Sequence, residues 1–140
     1  MFTCRRRIFL KDVDVTGSIY FGSFFHYALE AFELFLHNQK TNLLDFFSKG
    51  YLFPIVHAEA DYACPLMIGD EIFITLTVKS IGTRSVTIET EMKNLSNDKI
   101  AGKVTLVHAF MRKGESKSSE IPQDIRSLLT CKGEQEIDED

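Results

Sequence analysis

The chain has 140 residues, 44% of them hydrophobic, which is enough for one domain with a single core and too little for two. A formal net charge of -4 gives no general attraction to polyanions, so nucleic acid is not expected as a partner without a local basic patch. No apolar run has the length of a membrane span, no signal-peptide core opens the sequence, and Cys4, Cys64 and Cys131 lack any Cys-x-x-Cys pattern; these features predict a cytoplasmic protein with reduced thiols and no metal site.

In chain order, Phe2–Phe9 alternates loosely between polar and apolar residues and reads as a strand; its run Arg5, Arg6, Arg7 reads as arginines on alternating faces of an edge strand rather than as a basic patch. A turn-forming loop follows, Lys11-Asp12-Val13-Asp14-Val15-Thr16-Gly17. From Ser23 to Gln39, Phe24, Ala28, Ala31, Phe32, Phe35 and Leu36 recur at three- and four-residue spacing, which predicts the main helix, with Ser23 suited to cap it. Asn42–Lys49 is a shorter helical piece ending at Gly50.

Beyond Gly50 the period changes to two. Four strands are expected, over Phe53–Cys64, Glu71–Ile81, Arg84–Asn94 and Lys99–Arg112, and their short connections require antiparallel pairing. Ile121–Leu129 reads as a short helix with Pro122 in its first turn. Residues 1–130 form the domain, and the acidic tail 131–140 reads as disordered. The fold class is therefore α+β, one long helix on a five-stranded antiparallel sheet. Such a sheet keeps two open edges and an uncovered face, so a homodimer or homotetramer with sheets meeting edge to edge is expected.

Asp12 and Asp14 precede the segment Ser18-Ile19-Tyr20-Phe21 and the helix start. A carboxylate beside helix-start amides could act on a carbonyl whose oxygen those amides polarise; two aspartates around a turn are also ordinary solvated or capping residues. His57, Glu59 and Asp61 alternate on one strand face, which suits either a site or a solvated sheet surface. His26 lies on the polar side of the helix.

Taken in order, Asp12-Val13-Asp14-Val15-Thr16-Gly17-Ser18-Ile19-Tyr20, Phe53-Pro54-Ile55-Val56 and Pro65-Leu66-Met67-Ile68-Gly69-Asp70-Glu71 resemble the hot-dog-fold thioesterases. The branch is the one that includes 4-hydroxybenzoyl-CoA thioesterase and bacterial short-chain acyl-CoA thioesterases, and the likeness runs from about Arg7 to Leu129.

The resemblance implies hydrolysis of an acyl-CoA or acyl-carrier-protein thioester at a subunit interface. Asp14 would be nucleophile or general base, and amides of Tyr20, Phe21 and Gly22 would polarise the carbonyl. It implies no cofactor beyond the coenzyme A of the substrate, whose nucleotide end would meet Arg84 and Ser85, with Lys79, Lys103, Arg112 and Lys113 as further candidates. Where many relatives carry His or Tyr this chain has Phe21, a feature shared with enediyne-pathway thioesterases that lack the catalytic aspartate. A non-catalytic acyl-thioester-binding or sensor protein is the alternative.

Overall fold

The computed structural model describes residues 1–41 and 43–130 and the backbone of 135–138. The elements are β1 (Phe2–Arg7), a 3-10 turn (Leu10–Asp12), α1 (Ser23–Asn38), α2 (Leu43–Ser48), β2 (Tyr51–Leu52), β3 (Ile55–Tyr62), β4 (Glu71–Ile81), β5 (Ser85–Asn94), β6 (Lys99–Ala109), β7 (Met111–Arg112), α3 (Gln123–Leu129) and β8 (Gln135–Asp138). Strand order in the main sheet is β3-β6-β5-β4-β1-β8. The first five are antiparallel neighbours, and β8 adds to β1 in parallel. This is the expected α+β hot-dog arrangement with one strand more. Of the tail, residues 131–134, with Cys131, and 139–140 lie outside the described residues, as does Asn42 of the expected short helix.

The helix buries Phe24, Tyr27, Ala28, Ala31, Phe32, Phe35 and Leu36 against Ile72, Ile74, Leu76, Val86, Ile88, Met92, Val104 and Leu106 of the sheet. These strand residues alternate, so one pleat face is apolar. On the other face Thr75, Glu91, Lys103 and Asp61 lie in one row across four strands, and this polar surface needs no apolar cover. Among the described residues no helix is long and apolar enough to cross a membrane.

Prolines and one aromatic ring redraw the expected boundaries. Pro54, which has no N–H to give to a ladder, separates β2 from β3, so the expected strand Phe53–Cys64 shortens to Ile55–Tyr62, and the Pro54 carbonyl accepts the Ala109 N–H at 2.9 Å. The last long strand breaks at Phe110, whose ring turns inward to meet Tyr51 and Phe53 edge-on; β7 then leaves the main sheet to pair with β2. Pro122 stands at the N-cap of α3, one position before the helix proper.

Ser23 is not the cap of α1. Gly22 occupies that place, and the Ser23 hydroxyl donates instead to the Asp12 carbonyl at 2.9 Å.

Gly102 sets how closely the helix approaches. A methyl group there would stand 2.7 Å from Phe24 Cε1 and 2.9 Å from the Asp61 carbonyl oxygen, so only a residue without Cβ lets the Phe24 ring lie on the sheet.

Candidate active site

The loop carrying Asp14 is a small hairpin of its own. Val13 and Ile19 bridge, Gly17 N–H closes the turn onto the Asp14 carbonyl at 3.1 Å, and Gly17 takes φ +81°. That conformation is the reason glycine ends the turn. The loop docks beside the approach to β4, through Ile19 N–H to Leu66 O at 2.8 Å and Ile68 N–H to Gly17 O at 3.1 Å.

Within this frame the Asp14 carboxylate is exposed. Its Oδ1 accepts the Thr16 N–H at 2.8 Å and the Thr16 hydroxyl. Those two bonds, the hydroxyl first, hold the carboxyl below the usual carboxylate range, so it is ionised at neutral pH.

Asp12, two residues earlier, has the opposite environment. It is 4% exposed, not solvated, and pairs with Arg6 at 2.8 Å. Arg6 is likewise buried, at 5% exposure, and the strand that carries the arginine run is not an edge, because β8 pairs with it. A partner on α1 draws Arg6 inward: its Nε lies 2.7 Å from Glu30 Oε2.

The expected carbonyl-polarising amides divide. Tyr20 N–H is already committed, to the Asp12 carbonyl at 3.0 Å. Among the described residues the Phe21 and Gly22 amides donate to no backbone oxygen. Both Tyr20 and Phe21 present exposed rings, 4.7 Å apart between centroids, and the Tyr20 ring covers Gly22 so closely that a Cβ there would lie 2.6 Å from it.

Beside these amides opens a cleft of about 280 Å³ lined by Ser18, Phe21, Phe24, Tyr62, Cys64 and Pro65. Tyr62 hydroxyl donates to the Phe21 carbonyl at 3.0 Å, and its ring meets Phe24 edge-on at 5.0 Å. Tyr62 and Cys64 line this cleft without being singled out by the sequence, where their place just before Pro65 is the available signal.

The expected coenzyme A contacts lie elsewhere. Arg84 is exposed in the β4–β5 hairpin, with Ser85 half-buried beside it. The register runs from Ile72↔Asn94 near the Asp14 loop to Ile81↔Val86 at the hairpin, a span of roughly 30 Å at about 3.3 Å per residue. One chain does not bring Arg84 and Asp14 together.

Lys79 and Lys103 both face Glu89, at 3.7 and 3.8 Å, Arg112 stacks over Tyr51 at 5.3 Å, and the Lys113 amide donates to Gly50 O at 2.7 Å. His26 is exposed on α1, and His57 pairs with Glu59 at 3.3 Å on the exposed face of β3, where Asp61 is exposed too.

The thioesterase-like superfamily model matches residues 9–129. The chain belongs to that superfamily. The thioesterase-like chain is 35% identical over 131 residues to a 1,4-dihydroxy-2-naphthoyl-CoA hydrolase of Crocosphaera subtropica, covering 89% of this chain and 96% of that one. The crystal structure of a 1,4-dihydroxy-2-naphthoyl-CoA thioesterase from Synechocystis superposes with TM-score 0.85 at 26% identity, over 91% of this chain and 94% of the other. A mutant of 4-hydroxybenzoyl-CoA thioesterase complexed with 4-hydroxybenzoyl-CoA shares the fold, with TM-score 0.81 at 15% identity, over 91% and 97%.

Proposed function

We propose that this protein is an acyl-CoA thioesterase whose acyl group is a planar aromatic ring, and that Asp14 is its catalytic carboxylate. One observation carries the reading: an ionised, exposed carboxylate stands on a rigid turn in the same segment as an aromatic-lined cleft and two unengaged amides. The relatives named for 1,4-dihydroxy-2-naphthoyl-CoA support the aromatic class, and the cleft offers a flat ring the aromatic side chains Phe21, Phe24 and Tyr62 to pack against.

In this reading Asp14 attacks the thioester carbon or takes a proton from the water that does. The Phe21 and Gly22 amides, rather than Tyr20, receive the developing oxyanion. No side-chain donor stands at Phe21, so the amides carry that task.

The site is completed by a second copy. Strand β3 ends the sheet with its outer backbone edge unpaired among the described residues, and Ile55 (41%), Val56 (63%) and Tyr62 (49%) are exposed along it. An open strand edge is a template for pairing. Antiparallel pairing of β3 with its copy would set the partner's Ile55 end, and with it the partner's β4–β5 hairpin end, on the same side as Asp14. Arg84 and Ser85 would then serve the neighbouring site.

The test is thiol release from a panel of aromatic and aliphatic acyl-CoAs and one acyl-carrier-protein ester, with sedimentation giving the assembly. Turnover of aryl esters, lost in Asp14→Ala, is expected. Binding without turnover on every ester would instead establish the acyl-binding module.

A further inference from the structure

We propose that Arg6 is a positioning residue for the Asp14 loop, acting through Asp12. The inference rests on the thioesterase reading above and deepens it. Arg6 donates from Nη1 to Asp12 Oδ2 at 2.8 Å and from Nε to Glu30 Oε2 at 2.7 Å. Its guanidinium lies 4.2 Å from the centroid of the Tyr27 ring. One side chain on β1 thus joins the loop to the middle of α1.

Asp12 passes that constraint on through its other polar groups. Its Oδ2 also accepts the Phe9 N–H at 2.9 Å, while its carbonyl accepts both the Tyr20 N–H at 3.0 Å and the Ser23 hydroxyl at 2.9 Å. The loop that bears Asp14 therefore leaves from Asp12 and returns, at Tyr20, to Asp12. Fixing the orientation of this one residue fixes the carboxylate of Asp14 relative to the Phe21 and Gly22 amides just beyond.

A buried ion pair contributes little net stability against an apolar replacement, because desolvation offsets the attraction. What a guanidinium supplies here is geometry. Its planar fork can meet two carboxylates from two elements at once, which the point charge of lysine cannot do in the same arrangement. Small displacements of a reacting group cost large factors in rate, so this rigid three-way link matters for turnover more than for folding.

The test uses the full-length protein with Arg6→Lys, read by steady-state kinetics on the best aryl-CoA and by amide hydrogen exchange. A fall in kcat of about tenfold or more is expected, with KM within about twofold of its original value. Exchange at the Tyr20 amide should quicken while β5 amides keep their protection.

Unchanged kcat, or a fall that only follows loss of β5 protection, overturns the proposal. If Arg6→Lys does not fold, Glu30→Gln carries the same comparison, with a smaller drop expected because an acceptor for Arg6 remains. If the unaltered protein releases no thiol from any ester, the thioesterase reading fails by itself. Exchange at Tyr20 then decides the clamp: quickened exchange in Arg6→Lys supports it, and retained protection overturns it.

Discussion

Asp12 and Asp14 sit two positions apart in one loop and do opposite things. Around Asp12 the chain is dry: Arg6 neutralises the carboxylate, the Phe9 amide binds it, and the Tyr27 hydroxyl nearby is held well above the usual tyrosine range, by burial first and the Asp12 charge second. Asp14 is exposed, and among the described residues only Thr16 hydrogen-bonds its carboxylate. Both carboxyls lie below their ordinary range, Asp12 against the opposing effect of its burial and Asp14 through hydrogen bonds alone. A low carboxyl pKa therefore does not distinguish the two aspartates; access does.

The largest expected effect separates the two aspartates by activity. Asp14→Asn keeps an acceptor for Thr16 and buries nothing, so stability should move by less than about 0.5 kcal/mol while kcat falls by about 10²–10⁴; thiol release and urea unfolding on one preparation check both. Asp12→Ala should instead cost stability, with a smaller fall in kcat of about tenfold because the Asp14 loop loses the residue that orients it. Removing one partner of a buried pair costs about 3–5 kcal/mol, and Glu30, still facing Arg6 at 2.7 Å, places the expectation near the lower figure.

The sign of the pH dependence follows from the depressed Asp12 carboxyl. Its contribution is complete above the ordinary value of 3.8 and is lost as pH falls through the lower folded value. Unfolding curves for the unaltered protein and Asp12→Ala should therefore converge in acid below that range. A constant gap across the whole pH series would mean that the ion pair is not the source of the loss.

Gly102→Ala sharpens the comparison from beneath the helix. The new methyl group meets Phe24 and the Asp61 carbonyl at 2.7 and 2.9 Å, and overpacking of this kind costs about 1–3 kcal/mol. Because Phe24 and Tyr62 line the cleft, KM for an aryl ester should rise even where the fold survives, and thermal unfolding beside substrate titration reads the two effects.

The long elements were legible because each repeats a period over ten or more residues: α1 through its three- and four-residue spacing, β4 and β5 through strict alternation. The Asp14 turn was legible for a local reason, since Asp-x-x-Gly specifies both the carbonyl acceptor and the residue free to take positive φ. Arg6 and Asp12 were not. Alternation with Phe2, Cys4 and Ile8 puts Arg6 on the inward face of β1, unlike Arg5 and Arg7, but its partner Glu30 is 24 residues away and no local pattern names it. Nor does spacing along the chain reveal that Arg84 and Asp14 end on opposite ends of one sheet; that follows from the strand register.

The smallest effect is also the most specific to Asp14. Thr16→Val removes the hydroxyl that donates to Asp14 Oδ1 and leaves the Thr16 amide in place. One of the two bonds favouring the ionised carboxylate is then gone, so the Asp14 carboxyl rises toward its ordinary 3.8. In the proposed mechanism hydrolysis needs an ionised Asp14, so the acid limb of kcat/KM should move to higher pH while the rate near neutrality changes by less than about tenfold. A group elsewhere in the cleft acting as base would leave that limb where it was. Because Asp14 is exposed in the single chain, the comparison also reports on assembly: burial by a second copy would raise the limb of both proteins together, whereas the Thr16 bond separates them.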